Sequence, residues 1–155
     1  MPVLVSDLMT KGPLVVKSDM EVHELEKLFL EKRIHGAPVV DAERRLVGVI
    51  SQTDLLNWHY ETGHDGGGFY DPVDLTGEVR GLSLADVRAA TVAEVMTPVV
   101  HAIRPENTVA DAAERMIRHR IHRLVVVDGN LHVVGVLSAM DLLRLVPGVS
   151  ERPGR

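Results

Sequence analysis

The sequence predicts an α/β (α+β) fold in which two tandem β-α-β-β-α units pack with pseudo-twofold symmetry. The first observation is an internal repeat: residues 5–56 align with residues 92–143 at a constant offset of 87, without a gap, and 17 of the 52 positions are identical. The second is that apolar runs and amphipathic helix patterns follow one another in the same order in both copies. The third is that a three-stranded sheet carrying two helices leaves one apolar face open, which the second copy can cover.

Each copy gives the same five elements. The first copy predicts a strand at 14–16, a helix-start signal at 18–21 followed by a helix, strands at 37–40 and 47–50, and a helix from Ser51 to about His59. The second predicts a strand at 99–103, a helix beginning at Thr108, strands at 124–127 and 133–137, and a helix from Ser138 to about Val146. Turns are predicted at 41–45 and 128–130, the second from an Asp-Gly hairpin signal.

These patterns divide the chain into four segments. Unit 1 covers residues 1–60, a Gly-rich linker covers 61–91, unit 2 covers 92–146 and a tail covers 147–155. The linker contains His64-Asp65-Gly66-Gly67-Gly68, a composition typical of loops. Thr91 to Glu94 forms a capping-box pattern that leads into unit 2.

Composition excludes several classes of protein. The chain of 155 residues is 45% hydrophobic and long enough for a buried core. Its lack of cysteine excludes disulfides, thiolate zinc sites and cysteine nucleophiles. A net charge of −5 argues against nucleic acid as a partner. We find neither a signal-peptide pattern nor an apolar run long enough for a membrane span, so we expect a cytoplasmic protein without a membrane partner.

Three motifs occur in both copies: Asp7-Leu8-Met9-Thr10 and Glu94-Val95-Met96-Thr97 at the unit starts, Arg33 to Asp41 and Arg120 to Asp128 in the middle, and Gly48 to Asp54 and Gly135 to Asp141 near the ends. Together they resemble the cystathionine-β-synthase (CBS) domain pair, and the match covers 104 of 155 residues, twice 52. Since the motifs account for most of the chain, it resembles a standalone CBS pair.

The resemblance implies a regulatory module rather than an enzyme. CBS pairs bind adenosine-containing ligands, such as AMP, ADP, ATP or S-adenosylmethionine, in the cleft between their repeats and signal by conformational change. They need no cofactor, often form disc-like homodimers and act on an effector protein. The alternative is a structural module for homodimerisation or partner binding whose ligand sites are vestigial.

The repeated Ser-x-x-Asp motif has two interpretations. Ser51 with Asp54, and Ser138 with Asp141, each follow a predicted strand and open a helix. As a helix cap, the serine accepts a backbone hydrogen bond and the acid stabilises the first turn. As a binding group, a carboxylate at this position can accept both hydroxyls of a ribose, which is the role that the family resemblance implies.

The paired histidines are candidates for phosphate contacts. His35 and His122 precede predicted strands, where a histidine is more often structural than functional. Arg123 follows His122, whereas Gly36 follows His35, so the two sites are expected to differ. Cations at a helix end also suit its dipole, but Arg gives bidentate phosphate contacts, and relatives use His and Arg here for phosphate.

Three apolar positions complete the predicted ligand-binding set. Pro38 matches the hydrophobic-Pro pair with which the family positions adenine, and Val125 replaces it in the second copy. Backbone groups near Val16 and Ile103 are expected to read the base.

We predict no metal site and no catalytic residues. His119 and His122 are three residues apart, and His59, His64, Asp65 and Asp71 cluster in sequence, but no HExxH pattern occurs and a Gly-rich loop holds ligands poorly. Neither a GxxxxGK[ST] nor a GxGxxG phosphate loop is present, and no spacing suggests a Ser/His/Asp triad.

Overall fold

A computed structural model describes residues 1–62 and 90–149. Its helices are α1 (Val5–Leu8), α2 (Val22–Lys32), α3 (Gln52–Thr62), α4 (Val92–Val95), α5 (Val109–His119) and α6 (Ala139–Leu143). Its strands are β1 (Thr10–Lys11), β2 (Val16–Lys17), β3 (Gly36–Val40), β4 (Leu46–Ser51), β5 (Ala102–Ile103), β6 (Arg123–Val127) and β7 (Val133–Ser138). Most of the predicted linker and tail lie outside the described residues.

Two sheets carry the predicted topology. One has the order β2-β3-β4 and the other the order β1-β7-β6-β5. In each copy the first strand runs parallel to the second, with a helix as the crossover, and an antiparallel hairpin follows. The α/β fold of two tandem β-α-β-β-α units is therefore confirmed, because both copies form the same crossover and hairpin.

Helix starts follow the capping chemistry in most places. Thr108 caps α5: its hydroxyl accepts from the Asp111 N–H at 3.1 Å, and its own N–H donates to the Asp111 carboxylate at 3.0 Å. Hydrogen bonding from the Thr108 side chain, and then from its backbone, holds the pKa of Asp111 below the ordinary value. The helix-start signal at 18–21 directly precedes α2, which begins at Val22 with Glu21 as its N-cap, although Glu21 makes no side-chain capping bond.

The hairpin turns depend on two equivalent aspartates. Asp41 accepts the Arg45 N–H at 2.8 Å, and Asp128 accepts the His132 N–H at 2.9 Å. These backbone hydrogen bonds are the main reason that the pKa of each carboxyl is lowered. The second turn lies where the Asp-Gly signal predicted it, but the left-handed residue is Leu131, with φ of 65°, and not the glycine.

The start of each copy packs on the sheet of the other copy. β1 pairs with β7, so the first copy contributes an edge strand to the second sheet. The Val5 N–H donates to the Asn107 carbonyl at 2.9 Å, and the Val92 N–H donates to the Met20 carbonyl at 2.8 Å. A sequence repeat therefore does not form a complete core by itself, because its first residues pack in the core of the other repeat.

Two apolar cores result from this exchange. Val92 of α4 lies in the first core, with these buried residues of the first copy: Val16, Val22, Leu25, Phe29, Ala37, Val39, Ile50 and Leu55. Val5 of α1 lies in the second core, with these buried residues of the second copy: Ile103, Ala112, Met116, Leu124, Val126 and Leu137. Val5 and Val92 are both fully buried, so each core depends on a side chain from the opposite repeat.

The bridges between the copies confirm a pseudo-twofold axis. Leu4 pairs with Thr108, and Glu21 pairs with Thr91. Leu4 and Thr91 are equivalent in the repeat, as are Glu21 and Thr108, so the two pairs are related by the symmetry. Arg45 pairs with His132, its own equivalent, so the axis passes between the two hairpin turns.

Two equivalent glycines permit the exchange. A Cβ at Gly48 would lie 2.5 Å from the Met96 sulfur and 2.9 Å from the Thr97 carbonyl oxygen. A Cβ at Gly135 would lie 2.6 Å from the Met9 sulfur and 3.0 Å from the carbonyl oxygen of the following threonine. Only glycine therefore lets the backbone of one repeat approach the strand of the other this closely.

We expect Gly48→Ala to lower the free energy of unfolding by about 1–3 kcal/mol, as overpacking does in cores. The cause is the fixed carbonyl of Thr97, which cannot rotate away from the added methyl group. Chemical denaturation followed by circular dichroism measures the change. Gly129→Ala is the matched control, since its Cβ would meet nothing within 4 Å. Equal stability of the two variants would contradict the close approach.

Candidate functional site

The two Ser-x-x-Asp motifs lie at the starts of α3 and α6. The Asp141 Oδ2 accepts from the Ser138 N–H and hydroxyl, both at 2.8 Å. The Asp54 Oδ2 accepts from the Ser51 N–H at 2.8 Å and from its hydroxyl at 2.9 Å. All four residues are partly buried, so the helix-cap interpretation of the motif is correct in both copies and uses one oxygen of each carboxylate.

The second oxygen distinguishes the two aspartates. The Thr97 hydroxyl donates to Asp54 Oδ1 at 3.0 Å, across 43 residues of sequence. Within residues 1–62 and 90–149, no hydrogen bond reaches Asp141 Oδ1. Asp141 therefore keeps one carboxylate oxygen that can accept a hydroxyl from a ligand.

Thr10 and Thr97 lie close to the Ser-x-x-Asp motifs, although neither is in the predicted ligand-binding set. Thr97 bridges Val49, and Thr10 pairs with Val136, so each threonine lies across from the strand that precedes the Ser-x-x-Asp motif of the opposite copy. The sequence did contain one sign of their importance: the dipeptide Met-Thr occurs at equivalent positions of both copies, as Met9-Thr10 and Met96-Thr97. Without the exchange of the starting segments, nothing in the sequence connects Thr97 with Asp54.

The histidines lie beside these motifs. The His35 carbonyl accepts the Gln52 N–H at 3.0 Å, and the His122 carbonyl accepts the Ala139 N–H at 2.8 Å. The His35 ring also hydrogen-bonds to the Gln52 side chain, with Nδ1 and Oε1 3.1 Å apart. Both histidines are exposed. The backbone of each histidine therefore contacts the first turn of the helix that carries the aspartate of its own copy, and the His35 ring contacts that turn as well.

Gly36 and Arg123 occupy equivalent positions, each beside the serine of the Ser-x-x-Asp motif of its own copy. Gly36 pairs with Ser51, and Arg123 pairs with Ser138, next to the same motif in each sheet. Arg123 is exposed, so its guanidinium is accessible to solvent. The second copy therefore offers a cation beside its serine, whereas the first copy offers none at this position.

The apolar members of the predicted set are buried. Val16 is 0% exposed and pairs with Val39, and Ile103 is 2% exposed and pairs with Val126. Pro38 is buried in β3. These side chains belong to the cores, so a ligand contact at Val16 or Ile103 would use the backbone, as we expect.

A groove of about 610 Å³ lies next to β2, and we name it cleft one. It is lined by Gly12, Pro13, Leu14, Val15, Lys32 and Ile34. Gly12 follows β1, which belongs to the second sheet, and Val15 precedes β2, which belongs to the first sheet. Because Thr10 lies opposite Val136, two residues before Ser138, the chain leads from the Asp141 region into cleft one. Cleft one is therefore lined by the first copy and begins directly after the strand that joins this copy to the second sheet.

Within residues 1–62 and 90–149, no three His, Asp or Glu side chains are close enough to hold a metal ion. His64, Asp65 and Asp71 lie outside the described residues. No helix of the same two ranges is long and apolar enough to cross a membrane.

Comparison with other proteins identifies relatives along nearly the whole chain. The uncharacterized protein MJ1426 of Methanocaldococcus jannaschii is 31% identical over 150 residues, which cover 90% of this chain and 89% of that protein. The chloroplastic CBS domain-containing protein CBSX2 of Arabidopsis thaliana is 30% identical over 84% of this chain. The chain spans 57% of CBSX2 and 40% of a second M. jannaschii relative, MJ1232.

Solved structures show the same fold. The CBS domain of a CBS domain-containing membrane protein from Sphaerobacter thermophilus is 33% identical, with a TM-score of 0.70, over 94% of this chain and 88% of that one. CBSX2 in complex with AMP is 28% identical, with a TM-score of 0.69, over 92% and 94% of the two chains.

The family model for the CBS domain matches this chain twice, at residues 5–61 and 92–148. Both matches contain a complete set of the motifs and one Ser-x-x-Asp site. Together with the fold, they show that this chain belongs to the CBS domain family and carries a pair of CBS domains.

Proposed function

We propose that this chain is a regulatory, non-enzymatic CBS pair that binds an adenosine-containing ligand between its two copies. The observation that carries the proposal is the Asp141 carboxylate, which has one oxygen fixed by Ser138 and the other without a hydrogen bond in the described residues. The candidate ligands are AMP, ADP, ATP and S-adenosylmethionine. The similarity to CBSX2, whose structure contains AMP, supports this ligand class.

The carboxylate suits a ribose diol. An ionised Asp accepts several hydrogen bonds and donates none, and two vicinal hydroxyls supply the donors. Cleft one adds an apolar surface from Pro13, Leu14, Val15 and Ile34, on which a base can be buried. The ribose and base contacts then come from different copies, because Asp141 lies in the second copy and cleft one is lined by the first.

The phosphate contacts would come from the cations beside these motifs. Arg123 and His122 lie next to Ser138, and Lys32 lines cleft one. A guanidinium gives bidentate contacts to phosphate oxygens, whereas a lysine acts as a point charge. These residues support a nucleotide as the ligand as well as a nucleoside.

Regulation follows from a ligand that bridges both copies. Such a ligand shifts the arrangement of the copies only by the difference between its affinities for the two arrangements. An effector protein that recognises one arrangement would then respond to the ligand.

The alternative function, a homodimerisation module with vestigial sites, is favoured by one observation. Large apolar side chains are exposed at equivalent helix positions of both copies: Leu30 is 77% and Ile117 79% exposed, and Leu56 is 69% and Leu143 49% exposed. In the first copy, a hydrogen bond between the Glu26 carboxylate and the His59 ring joins α2 to α3. A homodimer would bury these faces, and it is compatible with ligand binding.

We expect Asp141→Asn to weaken AMP binding at least about tenfold, because the amide replaces a charged acceptor and loses one of its acceptor atoms. Isothermal titration calorimetry with AMP, ADP, ATP and S-adenosylmethionine identifies the ligand and measures the loss. Asp111→Asn is the control, since Asp111 also caps a helix but lies away from the motif. Unchanged affinity would make Asp141 a cap alone; binding of none of the four ligands by the wild-type chain would favour the alternative function.

Arg123→Ala should weaken AMP binding more than adenosine binding, since only AMP carries the phosphate that the guanidinium contacts. The ratio of the two dissociation constants is the readout. Arg118→Ala serves as the control, because Arg118 is exposed and already paired with Glu114. Equal losses for AMP and adenosine would remove Arg123 from the phosphate contacts.

The homodimer is tested by Leu56→Lys combined with Leu143→Lys. Two charges in a buried interface should convert the dimer to a monomer, measured by sedimentation equilibrium. Val149→Lys, at a residue 56% exposed near the end of the described chain, should leave the dimer intact. A dimer that survives the double substitution would contradict an interface on these faces.

A further inference from the structure

The second copy has a region equivalent to cleft one, and its residues differ in kind at two positions. Adding 87 to each residue of cleft one defines cleft two, lined by Val99, Val100, His101, Ala102, His119 and Ile121. Most positions keep a small or aliphatic residue. Two positions change in kind: Leu14 becomes His101, and Lys32 becomes His119.

The two histidines touch each other across cleft two. Their ring centroids are 4.3 Å apart, and the ring planes differ by 30°. This is stacking contact between the strand segment before β5 and the last residue of α5. A planar base between two such rings would need them roughly 7 Å apart, twice the ordinary carbon–carbon contact distance. The stacked pair therefore occupies the space that a base would need.

A second contact holds α5 against the same strand segment. The Arg115 guanidinium donates to the Ala102 carbonyl at 2.8 Å. The equivalent residue in the first copy is Leu28, which has no donor to make this bond. The second copy therefore holds α5 to this part of the chain by a hydrogen bond that the first copy cannot form, in addition to the stacked rings.

The aspartate near cleft two also differs. Thr97 lies two residues before Val99, and its hydroxyl occupies Asp54 Oδ1 at 3.0 Å. Thr10 lies two residues before Gly12 and, within the described residues, makes no such bond to Asp141. Two independent contacts therefore distinguish the clefts. Near cleft two, the stacked histidines fill the position for a base and Thr97 occupies the second oxygen of Asp54. Near cleft one, in the described residues, the groove is open and the second oxygen of Asp141 has no hydrogen bond.

We infer that the His101–His119 pair closes cleft two and makes this chain a one-site CBS pair, with the nucleoside bound at cleft one. Cleft two accepts a ligand only when the two imidazoles separate. The inference rests on the proposed function, since it assigns the adenosine-containing ligand to one of the two equivalent sites.

Exchange of the lining residues between the clefts tests the inference. His101→Leu with His119→Lys gives cleft two the residues of cleft one, and Leu14→His with Lys32→His does the reverse. Native mass spectrometry and calorimetry with adenosine and AMP count the sites. We expect one ligand per wild-type chain, two per chain in the first variant, and at least about tenfold weaker binding in the second. His23→Lys, on the exposed face of α2, should leave one site and unchanged affinity.

The outcomes separate this inference from the proposed function. Two ligands per wild-type chain would overturn the closure and leave the proposed function standing. One ligand in both the wild-type chain and the first variant, with the melting temperature of that variant retained, would also overturn the closure alone. Absence of binding to the wild-type chain and to every variant would overturn the proposed function together with the inference.

Discussion

The exchange of starting segments between the two copies is the constraint on which this structure depends. Val5 and Val92 each complete the core of the opposite copy, and both are fully buried. The backbones approach so closely that Gly48 and Gly135 have no room for a side chain. The exchange also brings Thr97 to Asp54, and it pairs Thr10 with Val136 just before the segment that lines cleft one. The same contacts therefore hold the copies together and build the region between them.

The two copies share a backbone frame but differ in the side chains around the candidate site. The backbone frame repeats closely, down to left-handed arginines with φ of 53° and 52° at the ends of α2 and α5. The side chains differ between the copies: Arg123 occupies the position equivalent to Gly36, and His101 and His119 occupy the positions equivalent to Leu14 and Lys32. Duplication supplies two equivalent clefts, and a few substitutions are enough to make them chemically unequal.

The fold was predictable because the repeat and the residue pattern carry local information. The order of strands and helices, the Thr108 cap and the hairpin turns depend on neighbours close in sequence. The Ser-x-x-Asp hydrogen bonds were predictable for the same reason, since three residues separate the partners.

The exchange was not predictable from these patterns. Val5 and Val92 look like ordinary apolar residues at the start of each copy, and only tertiary packing decides which sheet they join. The bond from Thr97 to Asp54 spans 43 residues, and the stacking of His101 on His119 depends on how α5 lies against its strand. The roles of His35, His122, Arg123, Pro38, Val16 and Ile103 in ligand binding remain predictions for the same reason.

The swapped starting segments also suggest how such a chain arose. A polypeptide with a single copy would contain a strand, a crossover and a hairpin, but its first turn would have no core of its own to enter. Two such molecules could complete each other's cores by exchanging their first turns across a true twofold axis. Fusion of their genes would turn that axis into an approximate one. Each half of the fused chain could then change by substitution on its own, which two identical subunits cannot do.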